Sequence, residues 1–166
     1  MAAANSKGRE RIQSFTGKFD FTLDSKGRVN IPARIREIIE LKELNALALR
    51  IIEKESCFFI RAYPIDYYNQ NMLGKMDEWD GEDPLQMLTM LEITAPTNQV
   101  SIDAQGRLNI PDEMLKEAEI SKNVRFVGMN NFFDIWNPAV FDTFLKRMTA
   151  RAKNQQQSGA ENGGSS

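Results

Sequence analysis

Asp24 stands four residues before Arg28 in D-S-K-G-R-V-N-I-P (24–32), and Asp103 stands four before Arg107 in D-A-Q-G-R-L-N-I-P (103–111). A carboxylate placed this way can do two things. It can accept the N–H groups of a tight turn, the usual work of Asp at a turn start. It can also hold the guanidinium of the following Arg in one direction. That is chemistry for recognising an anion, not for breaking a bond. The remaining composition agrees. The 166-residue chain has no histidine and one cysteine, Cys57. This removes the commonest general base, the usual zinc ligand sets and any internal disulfide. Neither G-x-x-x-x-G-K-[ST] nor G-x-G-x-x-G occurs, so no phosphate loop is present. No enzymatic activity, metal, cofactor or small-molecule substrate is expected.

Net charge is −2 and the pI about 5.3, but the charge is unevenly spread. From Lys7 to Arg36 there are eight basic residues (Lys7, Arg9, Arg11, Lys18, Lys26, Arg28, Arg34, Arg36) against three acids (Glu10, Asp20, Asp24). This segment is therefore +5 and the rest of the chain −7. Binding follows the local field of a patch rather than the total. The plain alternative is a solvated charged face.

The elements that position these residues occur twice. Around the first turn, Phe19, Phe21 and Leu23 alternate with polar residues, and Val29 and Ile31 resume the alternation after it, which is strand period. Asp24-Ser25-Lys26-Gly27 between them reads as a hairpin loop, a type I turn plus bulge, with Gly27 at positive φ. Pro32 suits the first position of a helix, along which Ile35, Ile38, Ile39 and Leu44 form an apolar stripe. Strands are expected at 46–52 and 57–63. In the second copy Val100 and Ile102 lead into Asp103–Gly106, Leu108 and Ile110 follow, and Pro111 starts a helix carrying Met114, Leu115 and Ala118. Strands are expected at 124–127 and 132–136. Asn137-Pro138 then caps an amphipathic helix marked by Val140, Phe141, Phe144, Leu145 and Met148.

F-F-I-R-A-Y-P (58–64) also answers F-F-D-I-W-N-P (132–138). Each copy is too short to bury a core alone, so the two are expected to interlock. The organisation read from this is a mobile basic extension at 1–13, repeat 1 at 18–65, linking helices at 66–96, repeat 2 at 97–140, a C-terminal helix at 141–152 and a disordered polar tail at 153–166. No run approaches the roughly 20 apolar residues of a membrane helix, and the N-terminus lacks the apolar region of a secretory signal. A cytoplasmic location without membrane partners is expected.

F-x-G-x-x-x-x-x-L-D-x-K-G-R followed by I-P-A-R matches Phe15, Gly17, Leu23, Asp24, Lys26, Gly27, Arg28, Ile31, Pro32, Ala33 and Arg34, and resembles the MraZ family. The second D-x-Q-G-R (Asp103, Gln105, Gly106, Arg107) and V-G-M-N-N-F-F-D-I-W (127–136) are similar to its later signatures. The resemblance covers about residues 15 to 150. It implies an α+β, mainly β, SpoVT–AbrB fold, a swapped-hairpin barrel made from two internal repeats of one chain with flanking helices. It further implies a ring-shaped homo-oligomer, an octamer among the expected sizes. It implies nucleoid-associated binding of double-stranded DNA at tandem repeats upstream of the division and cell-wall gene cluster. Asp24, Gly27, Pro32, Asp103, Gly106, Arg107 and Pro111 are the signature and structural positions. The chain departs from the pattern in its N-terminal extension and in Asn30 and Asn109, which replace commonly apolar or small residues. It departs again in Gln105 against Lys26 and Glu113 against Arg34, which leave the second copy poorer in positive charge.

The expected DNA contacts are Lys26, Arg28, Arg34 and Arg36, followed by Lys18, Arg9 and Arg11. Arg can bind phosphate bidentately or read guanine, whereas Lys mainly supplies phosphate affinity. Arg28 could equally serve only its pair with Asp24, Arg107 points toward folding or a subunit contact, and Arg36 could lie on a solvated helix face. Phe58, Phe59, Phe132, Phe133 and Trp136 read as core or interface. The alternative function is an antitoxin-like module of the same hairpin unit that binds a toxin partner.

Overall fold

A computed structural model describes residues 14–161. Lys7, Arg9 and Arg11 lie outside the described residues. In chain order the elements are β1 (Lys18–Thr22), β2 (Arg28–Asn30), α1 (Ala33–Leu41), β3 (Ala46–Lys54), β4 (Cys57–Pro64), α2 (Ile65–Tyr68), α3 (Pro84–Thr94), β5 (Thr97–Ser101), β6 (Arg107–Asn109), α4 (Asp112–Glu117), β7 (Asn123–Gly128), β8 (Phe133–Trp136) and α5 (Pro138–Glu161). A π-helical turn (Asn69–Leu73) and a 3-10 turn (Gly74–Met76) continue α2. The class is α+β with strands dominant.

Six strands form one antiparallel sheet in the order β1-β7-β8-β4-β3-β5, and β2 pairs with β6 in a separate ribbon. Exchanging each strand of the first copy with its counterpart (β1 with β5, β2 with β6, β3 with β7, β4 with β8) reproduces the same order read backwards. The chain is thus a pseudo-twofold dimer of its own halves. The first strand of each half pairs with the third strand of the other, Phe19 opposite Phe126 and Leu47 opposite Val100. The axis passes between β4 and β8 on one side and through the Val29–Leu108 pair of the ribbon on the other.

This swapped pairing follows from burial. Val29, Ile31, Leu108 and Ile110 of the ribbon share one core with Ile35, Ile38, Met114, Leu47, Ile60, Phe126 and Ile135. Ribbon and sheet enclose a core that neither half could bury by itself. Phe59, Phe133 and Trp136 are buried, Phe59 stacking on Trp136 at 4.1 Å between ring centroids, and α5 covers this pair with Phe144. Phe132 packs partly buried against Tyr63, and Phe58 is exposed.

Two expectations are corrected. Pro32 and Pro111 sit just before their helices rather than at the first helical position, with φ −52° and −54° and extended ψ. The last helix does not stop at 152. α5 runs to Glu161, so residues 153–161, expected to be disordered, are helical. Lys, Gln and Ala are strong helix formers, and adding residues to an existing helix needs no new nucleus. Polarity removed the packing partner without removing the helix.

Candidate nucleic-acid interface

The two Asp–Arg motifs fold identically. Asp24 N donates to Arg28 O and Gly27 N to Asp24 O, with Gly27 at φ 74°. The same bonds join Asp103, Arg107 and Gly106, with Gly106 at φ 73°. This is the type I turn closed by a glycine bulge read from the sequence, but the hairpin expected around it is corrected: β1 and β2 do not pair with each other, because β1 pairs with β7 and β2 with β6. Asp24 Oδ1 accepts from Lys26 N and Arg28 N at 2.8 and 2.9 Å, and Oδ2 accepts from Arg28 Nε at 2.8 Å. Asp103 does the same with Gln105 N, Arg107 N and Arg107 Nε, each at 2.9 Å. The backbone N–H of Arg28 is the main influence holding the Asp24 carboxyl below the usual carboxylate value, and that of Arg107 does so for Asp103. Each guanidinium is anchored through Nε alone. Among the described residues its two Nη groups make no hydrogen bond, so each Arg presents a free two-pronged donor.

The ribbon brings both arginines to one face. Its register places Arg28 opposite Asn109, Val29 opposite Leu108, and Asn30 opposite Arg107. Side chains alternate across a strand, so Val29 and Leu108 point into the core while Arg28, Asn30, Arg107 and Asn109 share the outer side.

Ile31 N donates to Gly106 O and Ile110 N to Gly27 O. The start of α1 therefore lies beside the second turn, and the start of α4 beside the first. Arg36 crosses the second turn, where a methyl group on Gly106 would stand 2.8 Å from its Nη1. Arg34, exposed, is one residue beyond Ala33, which lines the groove between α1 and that turn. Glu37 and Glu40 line the same groove. At the first turn, which carries exposed Lys26 and half-buried Arg28, the neighbour is acidic: Asp112 Oδ1 would lie 3.6 Å from a methyl on Gly27. The swap thus places the two arginines at the start of α1 on the turn poorer in positive charge, and the acidic start of α4 on the turn richer in it. Charge counted copy by copy along the sequence does not survive as charge at two separate ends. Lys18, opposite Val127, is six residues before Asp24 and so roughly 20 Å from the turn along the strand; the structure does not gather it into the ribbon.

Sequence reading noted Asn30 and Asn109 only as departures, although their position beside the anchored Arg at the same place in both copies was a signal. It missed a second ion pair entirely. Arg61 Nε and Nη2 donate to Asp134 Oδ1 and Oδ2 at 2.8 and 3.0 Å, across β4 and β8 on the far side of the sheet. Burial pushes the Asp134 carboxyl up despite this partner. One charge of each sign inside otherwise apolar strands, F-F-I-R-A-Y and F-F-D-I-W, was the available clue.

The transcriptional regulator MraZ of Parvibaculum lavamentivorans is 30% identical to this chain over 134 residues, covering 80% of this chain and 81% of that protein. The chain belongs to the MraZ family. The family model described as "MraZ protein, putative antitoxin-like" matches residues 93–161, which hold the second hairpin, Trp136 and α5. The MraZ transcriptional regulator of Rhodospirillum rubrum is 27% identical over 150 residues, covering 90% of this chain and 95% of that one. That of Caldanaerobacter subterraneus is 30% identical over 140 residues, covering 78% and 85%. The match to the Rhodospirillum rubrum protein, covering 90% of this chain, therefore spans both halves of the pseudo-dimer, including both Asp–Arg turns.

Proposed function

We propose that this chain is a transcriptional regulator that binds double-stranded DNA through the outer face of the β2–β6 ribbon. The observation that carries the reading is the pair of arginines, each locked through Nε to an Asp and each extending two free Nη groups from one exposed face. A two-stranded ribbon fits the major groove, and an Asp-anchored guanidinium loses little freedom on binding phosphate or guanine. Lys26, Arg34 and Arg36 surround this face and supply phosphate affinity. The relatives' printed name supports the regulatory role.

One ribbon is a small footprint. Self-association that aligned several ribbons would multiply contacts to tandem repeats. α3 supports such assembly: none of its residues is buried, and Leu85, Met87, Leu88 and Leu91 are 49 to 74% exposed. A contiguous apolar surface of this kind marks an interface. A ring homo-oligomer on tandem promoter repeats, associated with the nucleoid, is the form proposed. Among the described residues no helix is long and apolar enough to cross a membrane.

The test is a gel shift of the full chain on duplexes from its own promoter, titrated with salt. Steep salt dependence is expected. Arg28→Ala and Arg107→Ala should each weaken binding about 5- to 100-fold while leaving the oligomer, followed by light scattering, unchanged. Salt-independent binding, or wild-type affinity in both variants, sinks the reading. Co-purification of a small toxin with a chain that ignores DNA would favour the antitoxin-like alternative.

A further inference from the structure

Alternation of the ribbon bonds makes 31/106 and 27/110 the hydrogen-bonded pairs. Arg28/Asn109 and Asn30/Arg107 are then non-hydrogen-bonded pairs, in which side chains approach most closely. Each anchored Arg has an Asn beside it across the ribbon. Asn is depleted in strands, where Thr or Val would suit an exposed position better. Both copies nevertheless carry Asn there, and among the described residues neither side chain makes a hydrogen bond. An amide offers a donor and an acceptor side by side. That set is complementary to N7 and the N6 amino group of adenine on the major-groove edge, as a guanidinium is to O6 and N7 of guanine. A phosphate offers acceptors only, so the acceptor half of an amide would go unused there.

We propose that Asn30 and Asn109 are specificity-determining residues that read adenine, one on each side of the pseudo-twofold axis, beside the bases contacted by Arg28 and Arg107. This rests on the DNA-binding reading above. The axis passes through the Val29–Leu108 pair, so the two Arg–Asn duos are related by it and address the halves of a short inverted element. Residues 28 and 30 are about 6.6 Å apart along the strand, close to two base-pair steps of about 3.4 Å. The two adenines therefore lie about two steps apart, on opposite strands.

The experiment selects a duplex from a randomised 20-base-pair library with the full wild-type chain. Fluorescence anisotropy then follows versions carrying 7-deazaadenine, which lacks the N7 acceptor, at each adenine in turn. Two positions should lose about 5- to 100-fold in affinity. Asn30→Ala should become insensitive at one of them and Asn109→Ala at the other, with the salt slope unchanged because phosphate contacts remain. The inference is overturned if the wild type tolerates 7-deazaadenine everywhere, if the Asn variants keep wild-type base preferences, or if they lose affinity uniformly with a shallower salt slope. Failure of the wild type to enrich any duplex would instead strike at the DNA-binding reading itself.

Discussion

Arg61→Ala and Asp134→Ala should destabilise the protein unequally, and only one of them should do so in a pH-dependent way. The Asp134 side chain is 3% exposed and that of Arg61 21%. Removing one partner of a buried pair costs about 3–5 kcal/mol because the other charge is left behind. In Arg61→Ala the stranded group is a carboxylate with almost no access to water, so the upper part of that range applies at pH 7.5. In Asp134→Ala the stranded guanidinium can reach solvent and still lies 4.2 Å from the centroid of the Phe132 ring, so the cost should fall to about 2–3 kcal/mol.

Without Arg61 the already raised Asp134 carboxyl moves further up. A group whose folded value lies above its unfolded value stabilises at low pH and loses that contribution as pH rises through the folded value. Arg61→Ala should therefore recover toward Asp134→Ala between pH 7.5 and 5.5. The double variant Arg61→Ile with Asp134→Ile replaces the ion pair with an apolar pair like Ile60–Ile135 one register step away on the core face, and should return to within about 1 kcal/mol of wild type. Urea unfolding followed by tryptophan fluorescence at both pH values measures all four proteins. Equal single-variant costs, or an Arg61→Ala cost that ignores pH, would refute the argument.

Other outcomes follow from the turns and from α3. Asp24 and Asp103 have depressed carboxyl values, so their contribution is present above the ordinary 3.8 and is lost as pH falls through the lower folded values. Thermal melts of Asp24→Asn with Asp103→Asn should show less loss below about pH 4 than the wild type does. Gly27→Ala should cost about 1–2 kcal/mol for its positive φ alone. Gly106→Ala carries that cost and also displaces Arg36, so it should weaken DNA binding more than Gly27→Ala; anisotropy beside denaturant titration separates the two effects. Leu88→Glu with Leu91→Glu should lower the oligomer mass seen by light scattering. The melting temperature of the dissociated chain should stay within a few degrees of a wild-type sample diluted to monomer, since Leu88 and Leu91 are exposed and α3 is held to the fold through Ile93 instead.

What was legible in the sequence was local. The Asp–Gly–Arg turn rests on bonds spanning at most four residues, and alternation alone orients Val29 and Leu108 inward. The duplication itself pointed to interlocked halves. Pairing between halves was not legible, because every bond from β1 to β7 crosses about a hundred residues and leaves no periodic trace. The consequence for the site was large: Arg36, assigned to the first copy, lies against the second turn. α3 was readable as a helix from Leu85, Met87, Leu88 and Leu91 after the break at 81–84, and Asp83 Oδ1 caps it by accepting from Gln86 N at 2.9 Å. Its exposure was not readable, because an apolar helix looks the same in sequence whether it meets its own core or another subunit.

The crossed pairing of β1 with β7 also constrains how the protein is made. Asp20 meets Arg125 across 105 residues. At about 5–20 residues per second of synthesis, the first strand waits roughly 5–20 s before its partner has been made. During that interval Phe19 and Phe21 lie along an unpaired edge, the situation in which strands pair with the wrong neighbour. On a polysome the nearest such neighbour is the same strand of the adjacent nascent chain. Slow release of the second half should therefore raise the fraction of chains that aggregate, and growth at low temperature, where elongation slows, should expose it first.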